Sequence, residues 1–181
     1  KQALVTERGG KLKLWQEGGA VLDVSSVPAV VHAGQGGLGD IALAPDFGSS
    51  GSVYLSWAEA GANGTAGAAV ARARLIQGSA PRLDGLQVIW RQNPKVTGRG
   101  HYGHRLAFSP DGRHLFISSG DRQKMARAQD MSGNLGKIVR VELDGTHEVI
   151  WTRGMRNPLG LKFDAQGRLW DLEHGPAGGD E

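Results

Sequence analysis

LAFSPDGRHLFI, residues 106–117, is the stretch that decides the fold class. Apolar residues lead into a Ser-Pro-Asp-Gly turn, and apolar residues return directly after it, which is the pattern of a β-hairpin. The Pro, Asp and Gly supply the backbone angles that a tight turn needs. The stretch therefore predicts two antiparallel strands joined by a short connection.

The same pattern recurs along the chain. It predicts four further hairpins, at 4–15, 41–57, 137–145 and 161–170. A period of roughly 40 to 65 residues built from several short strands is typical of the blades of a β-propeller. We therefore expect an all-β propeller, and a β-sandwich is the alternative.

The composition agrees with many tight turns and excludes several classes of protein. Gly accounts for 29 of the 181 residues, whereas the hydrophobic content of 39% and the charged content of 22% are ordinary for a globular protein. Without cysteine the chain has neither disulfides nor thiolate metal sites. No apolar run approaches the roughly 20 residues of a membrane-spanning helix, so no transmembrane segment is expected. The net charge of +3 comes from scattered residues, and no nucleic-acid-binding motif is present, which argues against a nucleic-acid partner.

Residues 1–181 are expected to form part of a single propeller domain. At about 45 residues per blade the chain would hold roughly four blades. A propeller must close to cover its edge strands. The polar end at 178–181 therefore predicts a domain that is incomplete at its C-terminus, and the direct step from turn to strand at Thr146-His147 predicts a missing loop there. Residues 1–7 have the pattern of a strand rather than of a leader peptide.

Two Gly-rich motifs carry candidate catalytic chemistry. In the motif at 34–38, the glycines allow close backbone approach to a flat ligand, and Gln35 offers both a donor and an acceptor. His101 precedes the strand of the 106–117 hairpin, and Asp121 follows its partner strand, so both are expected at one end of the hairpin. A carboxylate there would fix the tautomer of a basic imidazole. The alternatives are an ordinary loop and a structural histidine.

Two later motifs are candidate ligand sites. Arg156-Asn157-Pro158 offers a guanidinium for an anion or a developing oxyanion, or else a turn with a solvated Arg. The run EHGPAGGDE at 173–181 places carbonyls and carboxylates in succession, which suits Ca²⁺, a hard cation that binds several oxygens. An ordinary polar loop is the alternative.

Taken in order, five motifs resemble the soluble quinoprotein glucose dehydrogenase and aldose sugar dehydrogenase family along the whole chain. They are GQGGL at 34–38, H-x-G-x-RLAFSPDG at 101–112, GKIVRVELDG at 136–145, RNPLGL at 156–161 and EHGP-x-GGDE at 173–181. The resemblance implies a six-bladed β-propeller of four-stranded antiparallel blades, of which this chain covers roughly the first half or more. It also implies pyrroloquinoline quinone (PQQ) and Ca²⁺ as cofactors.

The resemblance further implies a role for each matching residue. His101 corresponds to the base that removes the proton of the anomeric hydroxyl while hydride passes to the quinone, and Asp121 orients that base. Arg156 would polarise the quinone carbonyl that receives the reducing equivalents. The implied cofactor contacts are Gln35, His101, Arg156 and Asn157. The implied calcium ligands are the carbonyls of Gly175 and Pro176, with Asp180 and Glu181 at a second, structural calcium site.

The implied activity is oxidation of aldose sugars at C1 to lactones, with electrons passed to an external acceptor such as a quinone, a dye or a cytochrome. The family implies a periplasmic or secreted protein, present as a monomer or homodimer. A non-catalytic propeller that binds a protein or a glycan is the alternative. The chain departs from the family at His104, where a small residue is common, and this predicts a narrower or differently charged cleft. It also departs at Gly100, where some members carry Asp.

Overall fold

The structure is a computed structural model, and it describes residues 1–175. These residues form β-strands joined by turns, with a short helix α1 at Phe47–Ser50 and 3₁₀ turns at Ala62–Gly64 and Met125–Ala128. The strands are β1 Gln2–Glu7, β2 Lys11–Gln16, β3 Leu22–Val24, β4 Leu38–Leu43, β5 Ser52–Ala60, β6 Ala66–Ile76, β7 Arg82–Arg91, β8 Gly103–Phe108, β9 His114–Ser119, β10 Lys137–Glu142, β11 Val149–Arg153, β12 Pro158–Phe163 and β13 Leu169–Glu173. Among residues 1–175, no helix has the length and apolar character needed to cross a bilayer.

The strands form four antiparallel sheets in chain order. The first sheet is β1-β2-β3, the second is β4-β5-β6-β7, the third is β8-β9-β10-β11, and the fourth is β12-β13. Within each sheet, neighbouring strands are consecutive in the chain, as in a propeller blade and unlike the crossed connections of a sandwich. The prediction of an all-β fold with four-stranded antiparallel sheets is confirmed. The number of six blades stays a prediction, since the described residues form no closed ring.

The predicted hairpins are present. Phe108 pairs with Leu115 across the Ser-Pro-Asp-Gly turn. Leu43 pairs with Val53, and Phe163 pairs with Leu169, across the two related turns. The Asp144-Gly145 turn joins β10 to β11 and is closed by hydrogen bonds from Thr146 N to Asp144 Oδ1 (2.9 Å) and from Glu142 N to Thr146 O (2.9 Å). A loop missing near 146–147 stays a prediction.

The second sheet is covered on both faces because side chains alternate along its strands. On β5, Tyr54 and Ala58 pack in a core shared with the third sheet, which contributes Leu106, Ile117 and Val139. Val53, Leu55 and Trp57, whose side chains alternate with these and point to the other face, pack in a second core with Leu12 and Leu14 of the first sheet. The second sheet is therefore joined to the first and to the third sheet by a separate apolar layer on each face.

The first strands of successive sheets lie side by side: β1 contacts β4, β4 contacts β8, and β8 contacts β12. This is how the innermost strands of neighbouring propeller blades are placed. The motif residues Gln35, His101 and Asn157 stand in the connections just before β4, β8 and β12. The arrangement of the strands therefore brings these three connections to one end of the sheets.

Candidate active site

His101 and Asp121 form a buried pair at this end. His101 Nδ1 lies 2.7 Å from Asp121 Oδ1, and the two residues are 7% and 2% exposed. An ionised carboxylate only accepts hydrogen bonds, so Nδ1 is the donor, and in a neutral imidazole Nε2 is then the nitrogen with the lone pair. Asp121 Oδ1 also accepts the Gln123 N–H at 2.7 Å, which fixes the carboxylate. The pair therefore has the arrangement of an oriented general base.

Gly120 allows the turn that brings the pair together. A Cβ at Gly120 would collide with the His101 carbonyl and would lie 3.2 Å from the Arg156 carbonyl. The same carbonyls accept hydrogen bonds from the next residues, since Arg122 N donates to His101 O (3.2 Å) and Asp121 N donates to Arg156 O (2.8 Å). The connection after β9 is thus joined to the segments before β8 and β12.

Gln35 joins the connection before β4 to His101. Its Oε1 accepts the His101 backbone N–H at 2.6 Å, and its own backbone N–H donates to Arg99 O at 2.7 Å. The Arg8 guanidinium donates to the neighbouring Gly34 carbonyl, and the Arg8 carbonyl accepts the Leu38 N–H at 3.1 Å. Arg8 therefore supports the Gln35 loop.

Asn157 is buried between β8 and the end of β13. Its Oδ1 accepts the Gly103 N–H at 3.3 Å, and its backbone N–H donates to Glu173 Oε1 at 3.0 Å. Glu173 also accepts the Arg156 backbone N–H. Burial raises the pKa of Glu173 above its ordinary value, although these two hydrogen bonds oppose the shift. The Asn157 loop is thus held by a carboxyl group on β13.

The Arg156 guanidinium lies against the segment that follows β13. Its Nη1 donates to the carbonyls of His174 (2.5 Å) and Gly175 (2.8 Å). In this arrangement the positive charge is directed at main-chain oxygens rather than at the His101 pair.

A cavity of about 330 Å³ lies beside these loops. Gln35 and Asn157 line it from two sides, and the other polar or aromatic residues in its wall are Arg8, Tyr102, His104 and His174. The cavity therefore combines two amide side chains, one guanidinium and aromatic rings at the end of the sheets that holds His101.

The Glucose / Sorbosone dehydrogenase family model matches residues 1–181. The chain belongs to this family. It is 40% identical over 193 residues to the aldose sugar dehydrogenase YliI of Escherichia coli, an alignment that covers 98% of this chain and 52% of that protein. The family resemblance of the five motifs is thereby confirmed.

Solved structures agree with this membership. A crystal structure of a glucose dehydrogenase superposes with a TM-score of 0.92 at 41% identity, covering 98% of this chain and 55% of that one. The PQQ-bound form of an aldose sugar dehydrogenase from Streptomyces coelicolor superposes with a TM-score of 0.86 at 28% identity, covering 97% and 54%. The chain thus spans about half the length of the relatives that it matches.

His104 adds no charge to the cleft at neutral pH. Burial, which is the largest cause, and the nearby charges of Arg122 and Arg105 together lower its pKa from 6.5 to about 3. Both ring nitrogens are buried without a hydrogen-bond partner among the described residues. The ring stacks on Tyr102, with centroids 5.3 Å apart and planes 13° apart. His104 therefore fills space beside the cavity as a neutral ring.

The expected calcium ligands fall largely outside the described residues. Pro176, Asp180 and Glu181 lie beyond residue 175. The Gly175 carbonyl accepts a hydrogen bond from the Arg156 guanidinium. Within residues 1–175, no group of three or more His, Asp or Glu side chains is placed to hold a metal ion.

Two arginines at this site, Arg8 and Arg122, were not predicted from the sequence. Arg8 was part of a predicted Gly-rich turn, and its contact with the Gln35 loop joins residues that are distant in the chain. Arg122 directly follows Asp121 and is completely buried. Its position beside the expected acid was the only sequence signal for it.

Proposed function

We propose that the full-length protein is a PQQ- and calcium-dependent dehydrogenase that oxidises aldose sugars at C1 to lactones, with His101 as the general base. The observation that carries the proposal is the buried His101–Asp121 pair, 2.7 Å apart, in a chain of this family. A module that only binds a protein or a glycan has no need of an oriented base of this kind.

His101 acts through Nε2. The hydroxyl on C1 of the sugar gives its proton to Nε2 as the hydrogen on the same carbon leaves as hydride, and a C=O bond forms. Asp121 stabilises the imidazolium that results. General-base catalysis of this kind contributes about 10²- to 10⁴-fold to a rate. When bound, PQQ supplies the two-electron acceptor for the hydride.

The cavity has the chemistry to take part of such a cofactor. PQQ is a flat, anionic quinone, and the wall offers the amides of Gln35 and Asn157 with the Arg8 guanidinium. Its volume of about 330 Å³ lies at the lower end of the usual range of about 300–1,000 Å³ for ligand pockets. Gln35, Asn157 and His101 would hold the cofactor from this half of the fold.

Arg156 and the calcium ligands complete the proposal. To polarise the quinone, the Arg156 guanidinium would leave the carbonyls of His174 and Gly175 that it binds in the structure. The Gly175 carbonyl would then be free to join that of Pro176 as a ligand of the cofactor's calcium, with Asp180 and Glu181 at a structural site. An external quinone, dye or cytochrome would accept the electrons from a monomeric or homodimeric enzyme in the periplasm or medium.

Reconstitution of the full-length protein tests this function. After loading with PQQ and Ca²⁺, the protein should reduce a dye in the presence of aldoses and form the corresponding lactones. Removal of Ca²⁺ by a chelator before loading should abolish turnover, and Ca²⁺ added back should restore it. A protein that neither binds PQQ nor oxidises any aldose would overturn the proposal.

A further inference from the structure

Arg122 is a buried cation beside the His101–Asp121 pair. The residue is 0% exposed, and its guanidinium makes no ion pair with a carboxylate among residues 1–175. Burying an unpaired charge is strongly unfavourable unless polar groups solvate it. The polar groups that bind the Arg122 guanidinium therefore indicate which segments of the chain this residue holds in place.

The guanidinium binds the segment that leads to His101. Nη2 donates to Gly98 O at 2.8 Å and Nη1 donates to Gly100 O, with a longer contact of 3.4 Å from Nη2 to Ala66 O. The guanidinium carbon also lies 3.6 Å from the centroid of the Tyr102 ring, a cation–π contact. The Arg122 side chain thus binds the residues on both sides of His101.

The main chain adds a third connection. The Arg122 N–H donates to the His101 carbonyl at 3.2 Å, while Gly120 N donates to the Tyr102 carbonyl at 3.2 Å. Both His101 and Arg122 adopt left-handed backbone angles, with φ of 52° and 56°. Such angles are unfavourable for residues other than Gly and persist only where surrounding contacts fix them. The contacts of Arg122 are placed to fix both.

Tyr102 transmits this support to β8. Its ring contacts both the Arg122 guanidinium and the His104 ring, so the three side chains form one stacked cluster. The stack joins the residue after Asp121 to the residue after His101 and to the start of β8. A shift of Arg122 would therefore move the histidine and the acid relative to one another.

We propose that Arg122 is a positioning residue that sets the geometry of the His101–Asp121 pair by binding the carbonyls of Gly98 and Gly100 and the face of Tyr102. It touches main chain and ring rather than reacting atoms, so it acts through His101. The expected effect of Arg122 on the reaction rate rests on the proposed function, whereas its effect on the geometry of the His101–Asp121 pair does not. A displacement of about 1 Å in a catalytic group costs on the order of 10²-fold in rate.

Two variants of the full-length protein separate the parts of this role. Arg122→Met removes the charge and all side-chain donors. Arg122→Lys keeps the charge but loses the planar fork that binds two carbonyls. Arg140→Met is the matched control. Arg140 lies on β10, the strand that follows the Arg122 connection, and its guanidinium carbon is 5.6 Å from the centroid of the Trp151 ring, so it also contacts an aromatic ring.

The first readout is kinetic and uses the protein loaded with PQQ and Ca²⁺. Arg122→Met should lower kcat for aldose oxidation about 10²-fold with KM nearly unchanged. Arg122→Lys should recover part of the loss, and Arg140→Met should behave like the wild type. If Arg122→Met does not fold, Arg122→Lys decides: a lower kcat at unchanged KM supports the proposal, and a wild-type kcat overturns it.

The second readout needs no cofactor and no activity. The proton on His101 Nδ1, hydrogen-bonded to Asp121, should give a downfield resonance in the proton NMR spectrum, assigned by its loss in His101→Gln. It should weaken or disappear in Arg122→Met and persist in Arg140→Met. An unchanged resonance with a wild-type kcat in a folded Arg122→Met protein would overturn the proposal. A changed resonance in a protein that oxidises no sugar would overturn the proposed function and leave the positioning role standing.

Discussion

In the proposed mechanism, the proton on His101 Nδ1 determines how this histidine reacts, because it leaves Nε2 as the basic nitrogen. Asp121 holds that proton through a single hydrogen bond of 2.7 Å in a buried setting. The charge of the carboxylate matters as much as its shape, since it stabilises the imidazolium that forms when Nε2 is protonated.

Asp121→Asn keeps the shape of the side chain and removes its charge. We expect kcat for aldose oxidation to fall by about 10²- to 10⁴-fold, because the imidazolium loses its partner and the tautomer is no longer fixed. Steady-state kinetics of the loaded full-length protein measure this. Asp111→Asn, a change at an exposed turn, is the control and should keep wild-type kcat. If Asp121→Asn also keeps it, Asp121 does not orient the base.

His104 makes the stability of the folded protein sensitive to acid. Its pKa is lowered from 6.5 to about 3 on folding. Between these two pH values the unfolded chain binds more protons at this site, so the free energy of unfolding is fully retained above the unfolded pKa and falls as pH drops towards 3. The limiting slope for one such group is about 1.4 kcal/mol per pH unit.

His104→Gly should remove this contribution, and it also suits the left-handed backbone at this position, where φ is 81°. The free energy of unfolding, measured with denaturant at several pH values, should fall less steeply below pH 6.5 in the variant than in the wild type. His147→Gly is the control, since His147 is exposed and also has a positive φ of 53°. Identical slopes in wild type and His104→Gly would contradict the burial of the ring.

At the scale of the strands, a residue on a central strand contributes its side chain to the core, while its backbone pairs with the strands on both sides. Ile117 on β9 is 0% exposed and packs in the layer between the second and third sheets. Ile117→Ala should lower the free energy of unfolding by about 2–5 kcal/mol, because it removes buried apolar surface and leaves a cavity. Val149→Ala, on β11, is the control with 40% exposure. A loss below about 0.5 kcal/mol at Ile117 would show that it is not part of the core.

The hairpins that the sequence predicted are those whose turns carry Gly, in most cases together with Asp or Pro, because these residues fix the backbone locally. The β6–β7 hairpin was not predicted. β6 is the Ala-rich AGAAVARARLI, and its strand conformation depends on packing between β5 and β7 rather than on strong local preference.

The part of the site that depends on local sequence was also predictable. His101 comes just before β8 and Asp121 just after its partner β9, so their proximity follows from one hairpin. Gln35 and Asn157 were identified from their motifs. Arg122 and Arg8 were missed, because their guanidinium groups bind the carbonyls of Gly100 and Gly34, which are distant in the chain, and such contacts leave no local sequence pattern.

At the scale of the whole molecule, the arrangement of successive sheets explains why the candidate site is where it is. The first strands of the sheets lie side by side, so the connections that precede them meet at one end. Each connection supplies one part of the site: Gln35 before β4, His101 before β8 and Asn157 before β12. The chain spans about half the length of its relatives.

The central claim is that His101 is the base of an aldose dehydrogenase, and kcat of the His101→Gln protein tests it most directly. The full-length variant, loaded with PQQ and Ca²⁺ and shown to bind PQQ as the wild type does, is assayed against wild type and His147→Gln, a change at an exposed turn. We predict that kcat falls by about 10²- to 10⁴-fold in His101→Gln and is unchanged in His147→Gln. A His101→Gln protein that binds PQQ and oxidises aldoses at the wild-type rate would contradict the claim.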